Sequence, residues 1–121
     1  MARTAFTLVD LDPTAAVDDP TAEAADAADG NLVSGARLEQ ILLRVTNTDA
    51  TNPQTITVLA GLNPPALEAG RGDLEVAIPS TDTVFMGPFE SGRFVQAGGD
   101  LWIDVTAADI EVTAFRLPRR F

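Results

Sequence analysis

In Leu38-Glu39-Gln40-Ile41-Leu42-Leu43-Arg44-Val45-Thr46-Asn47, Ile41, Leu43 and Val45 fall on one side of an extended chain and Leu42, Arg44 and Thr46 on the other. A period of two is the mark of a half-buried strand, because successive side chains of extended backbone point to opposite faces. The turn cluster Thr48-Asp49-Ala50-Thr51-Asn52-Pro53 follows, and then Gln54-Thr55-Ile56-Thr57-Val58-Leu59-Ala60-Gly61 sends Ile56, Val58 and Ala60 inward. Together these make a hairpin with a long loop. Asn63-Pro64-Pro65 and Gly70-Arg71-Gly72 punctuate the way to Leu74, Val76 and Ile78, and Pro79 ends that strand or places it at an edge.

The same rhythm continues to the C-terminus. Thr83-Val84-Phe85-Met86, Arg93-Phe94-Val95-Gln96, Leu101-Trp102-Ile103-Asp104-Val105 and Ile110-Glu111-Val112-Thr113-Ala114-Phe115-Arg116-Leu117 read as short strands separated by Gly-Pro, Gly-Gly and Asp-containing turns. Short alternating strands joined by such turns predict an all-β chain folded as an antiparallel β-sandwich, jelly-roll or Ig-like. The expected core is Ile41, Leu43, Val45, Ile56, Val58, Leu74, Val76, Ile78, Phe94, Leu101, Ile103, Ile110 and Val112.

Residues 1–37 differ in character and read as an acidic N-terminal segment or arm, forming one structural unit with a β-sandwich over 38–121. Between Thr4 and Ala36 there is no basic residue, while Asp10, Asp12, Asp18, Asp19, Glu23, Asp26 and Asp29 are all acidic. Thr4 to Val9 could add a strand. Asp19 as N-cap, Pro20 in the first turn and Gly30 as stop would suit a short helix. That helix would carry only Ala on its apolar face, so an irregular loop or arm is equally compatible.

Composition narrows the function. The 121 residues suffice for one domain with one core. Cys, His, Lys and Tyr are absent, which excludes disulfides, thiolate metal sites and the Ser-His-Asp and Cys-His catalytic arrangements. A net charge of −10 opposes nucleic acid, and no apolar run approaches the roughly 18 residues of a membrane helix. The first residues, Met1-Ala2-Arg3-Thr4-Ala5-Phe6, hold no apolar signal core, so the expectation is synthesis in a cytoplasm without a cleaved leader.

The remaining motifs are weak. Asp100, Asp104, Asp109 and Glu111 near Trp102 could formally supply a glycosidase-like carboxylate pair, but Asp104 alternates with its apolar neighbours as an outward strand residue does. Asp26, Asp29, Gly30 and Asn31 offer oxygen ligands, yet an EF-hand register puts Ala25, Ala27 and Ala36 at ligand positions. Arg71-Gly72-Asp73 is a three-letter adhesive motif in a turn context. The expectation is no enzyme, no metal and no cofactor. Arg116, Arg119, Arg120 and Phe121, with Pro118 stiffening their approach, make a basic, aromatic-ended tail that contrasts with the acidic start, and these four are the candidate interface.

Met1-Ala2-Arg3-Thr4-Ala5-Phe6-Thr7-Leu8-Val9-Asp10-Leu11, Leu42-Leu43-Arg44-Val45-Thr46-Asn47-Thr48, Ala60-Gly61 with Pro64-Pro65 and Gly72-Asp73-Leu74, Gly87-Pro88-Phe89-Glu90-Ser91-Gly92-Arg93-Phe94-Val95-Gln96 and Phe115-Arg116-Leu117-Pro118-Arg119 together resemble small virion structural proteins of tailed bacteriophages infecting actinobacteria. The resemblance spans nearly the whole chain. It implies a head component of the capsid-decoration type: a homo-oligomer, with a trimer fitting, whose partner is the major capsid protein or another virion protein and whose location is the virion. It carries no residue-by-residue roles. Two alternatives stand beside it, a tail or neck component and a small ligand-binding β-sandwich of carbohydrate type, for which Trp102 and Phe94 would be the stacking platform.

Overall fold

The computed structural model describes residues 3–11, 14–61 and 72–118. Among the described residues ten strands run in chain order: β1 Thr4–Ala5, β2 Leu8–Asp10, β3 Glu23–Ala24, β4 Asn31–Val33, β5 Ile41–Asn47, β6 Gln54–Val58, β7 Leu74–Ile78, β8 Thr83–Met86, β9 Leu101–Val105 and β10 Ile110–Arg116. They form two sheets that face each other across one core. The first has the order β1-β4-β9-β6-β7, and the second β2-β10-β5-β8 with β3 also on β10.

The eight strands β3 to β10 follow the jelly-roll order. The first of them pairs with the last (β3–β10), the second with the seventh (β4–β9), and the third lies between the eighth and the sixth. The fourth lies between the fifth and the seventh. Every one of these pairings is antiparallel, as two nested Greek keys require. Of the two sandwich types the alternation allows, the jelly-roll is the one formed.

The N-terminal segment departs from the antiparallel expectation. β1 pairs parallel with β4 and β2 pairs parallel with β10, so both sheets are mixed. Between them Phe6 is buried, and its N–H donates to the carbonyl of Leu32. The chain thus steps from one sheet to the other across the sandwich side. No helix forms over residues 19–30: Glu23 and Ala24 add to β10, and the turn at 27–29 leads back to the first sheet. An all-Ala face offers a helix nothing to bury, whereas the unpaired edge of β10 offers this segment hydrogen bonds.

The inner faces carry Ile41, Leu43, Val45, Ile56, Val58, Ile78, Leu101, Ile103, Ile110 and Val112, all fully buried, with Phe94 beside them. Leu74 and Val76 are half-buried because β7 is an edge strand. Residues 93–96 are not a strand. Ser91–Phe94 is one helical turn, closed by the N–H groups of Arg93 and Phe94 donating to the carbonyl of Glu90. Phe94 is pinned edge-on to Phe89, with ring centroids 5.7 Å apart. Gly61 passes so close to the Val95 carbonyl that a Cβ would collide with it, and its N–H donates to the carbonyl of Arg93.

Candidate interaction surface

The sandwich has two ends of different chemistry. One gathers the 26–30, 47–53, 79–82 and 106–109 loops. Its acids are Asp26, Asp29, Asp49, Asp82 and Asp109, with no arginine among these residues. Here carboxylates are tied into turns. Asp49 accepts the N–H groups of Thr51 and Asn52 on Oδ1 and the Gln54 side-chain amide on Oδ2, and these donors hold its pKa down to about 2. Asp26 accepts Asp29 and Ala28 N–H groups and the Thr4 hydroxyl, which also lowers its pKa. Two buried asparagines complete this end. Asn47 donates to the carbonyls of Ile78 and Asn52, and Asn31 donates to that of Thr4. Among the described residues no group of three or more such side chains is placed to hold a metal, and the Asp26 carboxylate closes the turn over Ala28 and Asp29.

The other end contains Arg116, one of the four candidate contact residues. Arg116 closes β10 and makes a two-pronged ion pair with Asp10 at the end of β2, with Nε to Oδ1 at 2.6 Å and Nη2 to Oδ2 at 2.7 Å. Parallel pairing of β2 and β10 sets Asp10 directly opposite Arg116, so the register alone brings the acid and the base together. Arg119, Arg120 and Phe121 lie outside the described residues. Beside Arg116 runs a groove of about 520 Å³ lined by residues including Ala36, Arg37, Gln40, Val95 and the Gly98-Gly99 loop, whose two glycines hold positive φ. A second hollow of about 380 Å³ continues past Asp10, Leu11, Leu117 and Pro118. Gln40 and Arg116 belong to both. Its amide donates to the Leu117 carbonyl, which orders the outgoing chain.

Asp10 of the acidic segment and Arg116 therefore meet within one molecule. Arg44 repeats the pattern on the outer face of the second sheet, pairing with Asp19 and donating to the Pro20 carbonyl and the Thr113 hydroxyl. Arg3 does so on the first sheet, at 2.6 Å from Asp104. Arg37, by contrast, is exposed and has no ion pair among the described residues. Its position at the end of the base-free stretch Thr4 to Ala36 was visible in the sequence, but its place beside Arg116 depends on long-range strand pairing.

The alternative sites do not assemble. Phe94 is buried, and the Trp102 ring lies under the Arg3 guanidinium, 4.7 Å from its centroid, so the two aromatics do not form an open platform for a sugar. The Trp102 indole N–H is buried without a partner. Asp104 lies on the first sheet and Glu111 on the second, so these two carboxylates of the glycosidase-like set are in different sheets. Asp73 of the Arg-Gly-Asp stretch accepts the N–H of Ala60, and Arg71 lies outside the described residues. No helix among the described residues is long and apolar enough to cross a membrane. No family model, curated protein or solved structure matches this chain.

Proposed function

We propose that this chain is a bacteriophage virion structural protein, a capsid decoration protein that attaches to the outside of the head and stabilises it. The observation that carries this reading is a pair of adjoining hollows at one end of a jelly-roll that share Arg116, one lined also by Arg37, which has no ion pair among the described residues, and the other by the N-terminal acid Asp10. Such an end presents both signs of charge and a shaped hollow to a partner surface. The opposite end has five aspartates among its loop residues, and the arginine beside it, Arg3, is paired with Asp104, so that end offers a partner less unsatisfied positive charge. The sequence resemblance to small virion proteins of actinobacterial phages points the same way. Weak contacts repeated by symmetry over a shell add up where one such contact does not, which suits a homo-oligomer docked on the major capsid protein.

The test is to mix purified protein with heads lacking it, then count bound copies and record the temperature at which the particles rupture. Binding to heads with a raised rupture temperature, weakened by salt and by Arg37→Glu, is the expected result. Folded protein that neither binds nor stabilises heads would remove the decoration reading, and its recovery on tails or necks instead would establish that alternative.

A further inference from the structure

We propose that the edge of β8 left open by the described residues pairs with β8 of a second copy of this chain, antiparallel and two-fold symmetric about Phe85. This inference does not depend on the reading of function above. Phe85 is 63% exposed, against 38% for Val17, the other exposed large apolar side chain among the described residues. It sits on the outer face of the last strand of its sheet, directly across from Arg44 on β5.

The hydrogen-bond pattern of that strand settles which backbone groups are free. Asn47 N–H donates to the Asp82 carbonyl, so Asn47 and Asp82 are a hydrogen-bonded pair. Antiparallel ladders alternate, which makes Val45–Val84 and Leu43–Met86 the next such pairs and turns the N–H and C=O groups of Thr83 and Phe85 outward. The Thr83 N–H is taken by the Asp82 carboxylate, while no described group takes the N–H or C=O of Phe85. Edges of this kind are usually blunted by charge or by proline within the strand. Thr83-Val84-Phe85-Met86 carries neither.

Three features select a second copy as the occupant. An antiparallel strand pair is its own mirror under a two-fold axis, so one exposed edge supplies both halves of the contact. Centring the axis on Phe85 lets each Phe85 N–H donate to the other Phe85 carbonyl and puts the two rings side by side on the outer face, where aromatic cross-strand pairs are favourable. It also sets Val84 opposite Met86 of the second copy within Thr83–Met86, a strand without charge, so no like charges face each other although each chain carries −10. The contact is small beside a standard interface of about 1,600 Å², so the dimer is weak and concentration-dependent.

Sedimentation equilibrium over a wide concentration range reads the pairing directly. The expected result is a monomer–dimer equilibrium that tightens as salt rises, because screening relieves the repulsion between two acidic chains. Phe85→Ala should weaken the dimer by roughly ten-fold, and Phe85→Pro should weaken it further, since proline removes the outward donor while sparing the ladder to β5. As the side chain is exposed, Phe85→Lys keeps the core intact and should abolish the dimer. A spin label at Thr83→Cys, in a chain that has no other cysteine, should show dipolar broadening at dimer concentrations. A wild-type chain that stays monomeric throughout, or a dimer indifferent to all three Phe85 variants, overturns the proposal.

Discussion

Single side chains at the acidic end hold its turns closed. Asp49 is half-buried, its carboxylate collects two backbone donors and one amide, and the charged form accepts all of them better than the neutral acid does. With an ordinary value of 3.8 and a folded value of about 2, the group adds stability that is fully present above 3.8 and fades as pH falls through about 2. Urea midpoints measured across that window should drop for the native chain and drop less for Asp49→Asn. A slope is still expected in the variant, since Asp26 is lowered in the same way. Equal slopes for both chains would show that the turn does not hold the carboxylate charged.

At the scale of elements, the crossing formed by β1, Phe6 and β2 closes one side of the sandwich. Phe6 is buried in the same core as Leu101 and Val112, although it belongs to a segment that looks too polar to contribute. Phe6→Ala should therefore cost about 3 to 5 kcal/mol in chemical denaturation, as for a core phenylalanine. A loss within about 0.5 kcal/mol, the size of a surface substitution, would mean that the crossing is a loose strap. The strands from β5 onward were legible because their alternation is strict and local: Ile41, Leu43 and Val45 reach the core as the period demands. Phe6, Val33 and Leu38 were not, since they are isolated apolar residues whose burial follows from partners far along the chain. Arg93-Phe94-Val95-Gln96 misled for the opposite reason. It alternates like a strand, but Gly61 packs against Val95 and Phe89 holds Phe94, leaving room only for a helical turn. In the candidate surface, Arg116 was readable as an anomalous base, whereas its pairing with Asp10 needed the parallel register of β2.

For the molecule as a whole, the placement of β2 against β10 has a mechanical meaning. The two strands are parallel, with Leu8 beside Ala114 and Asp10 beside Arg116, and Leu11 N–H donates to the Arg116 carbonyl just beyond them. A tension applied between residue 7, just before β2, and residue 118 drags β2 backward and β10 forward, along their common axis. In that geometry the bridging hydrogen bonds and the Asp10–Arg116 pair are loaded together, as in a lap joint, and cannot be peeled one at a time. Pulled through linkers at these two points in a single-molecule force experiment, the domain should yield in one event. Asp10→Asn should lower the yield force, and adding salt should lower it in the native chain but not in the variant. Gradual lengthening at low force would show instead that the seam opens from one end. A domain built this way would resist tension along this seam by geometry, without needing a larger core.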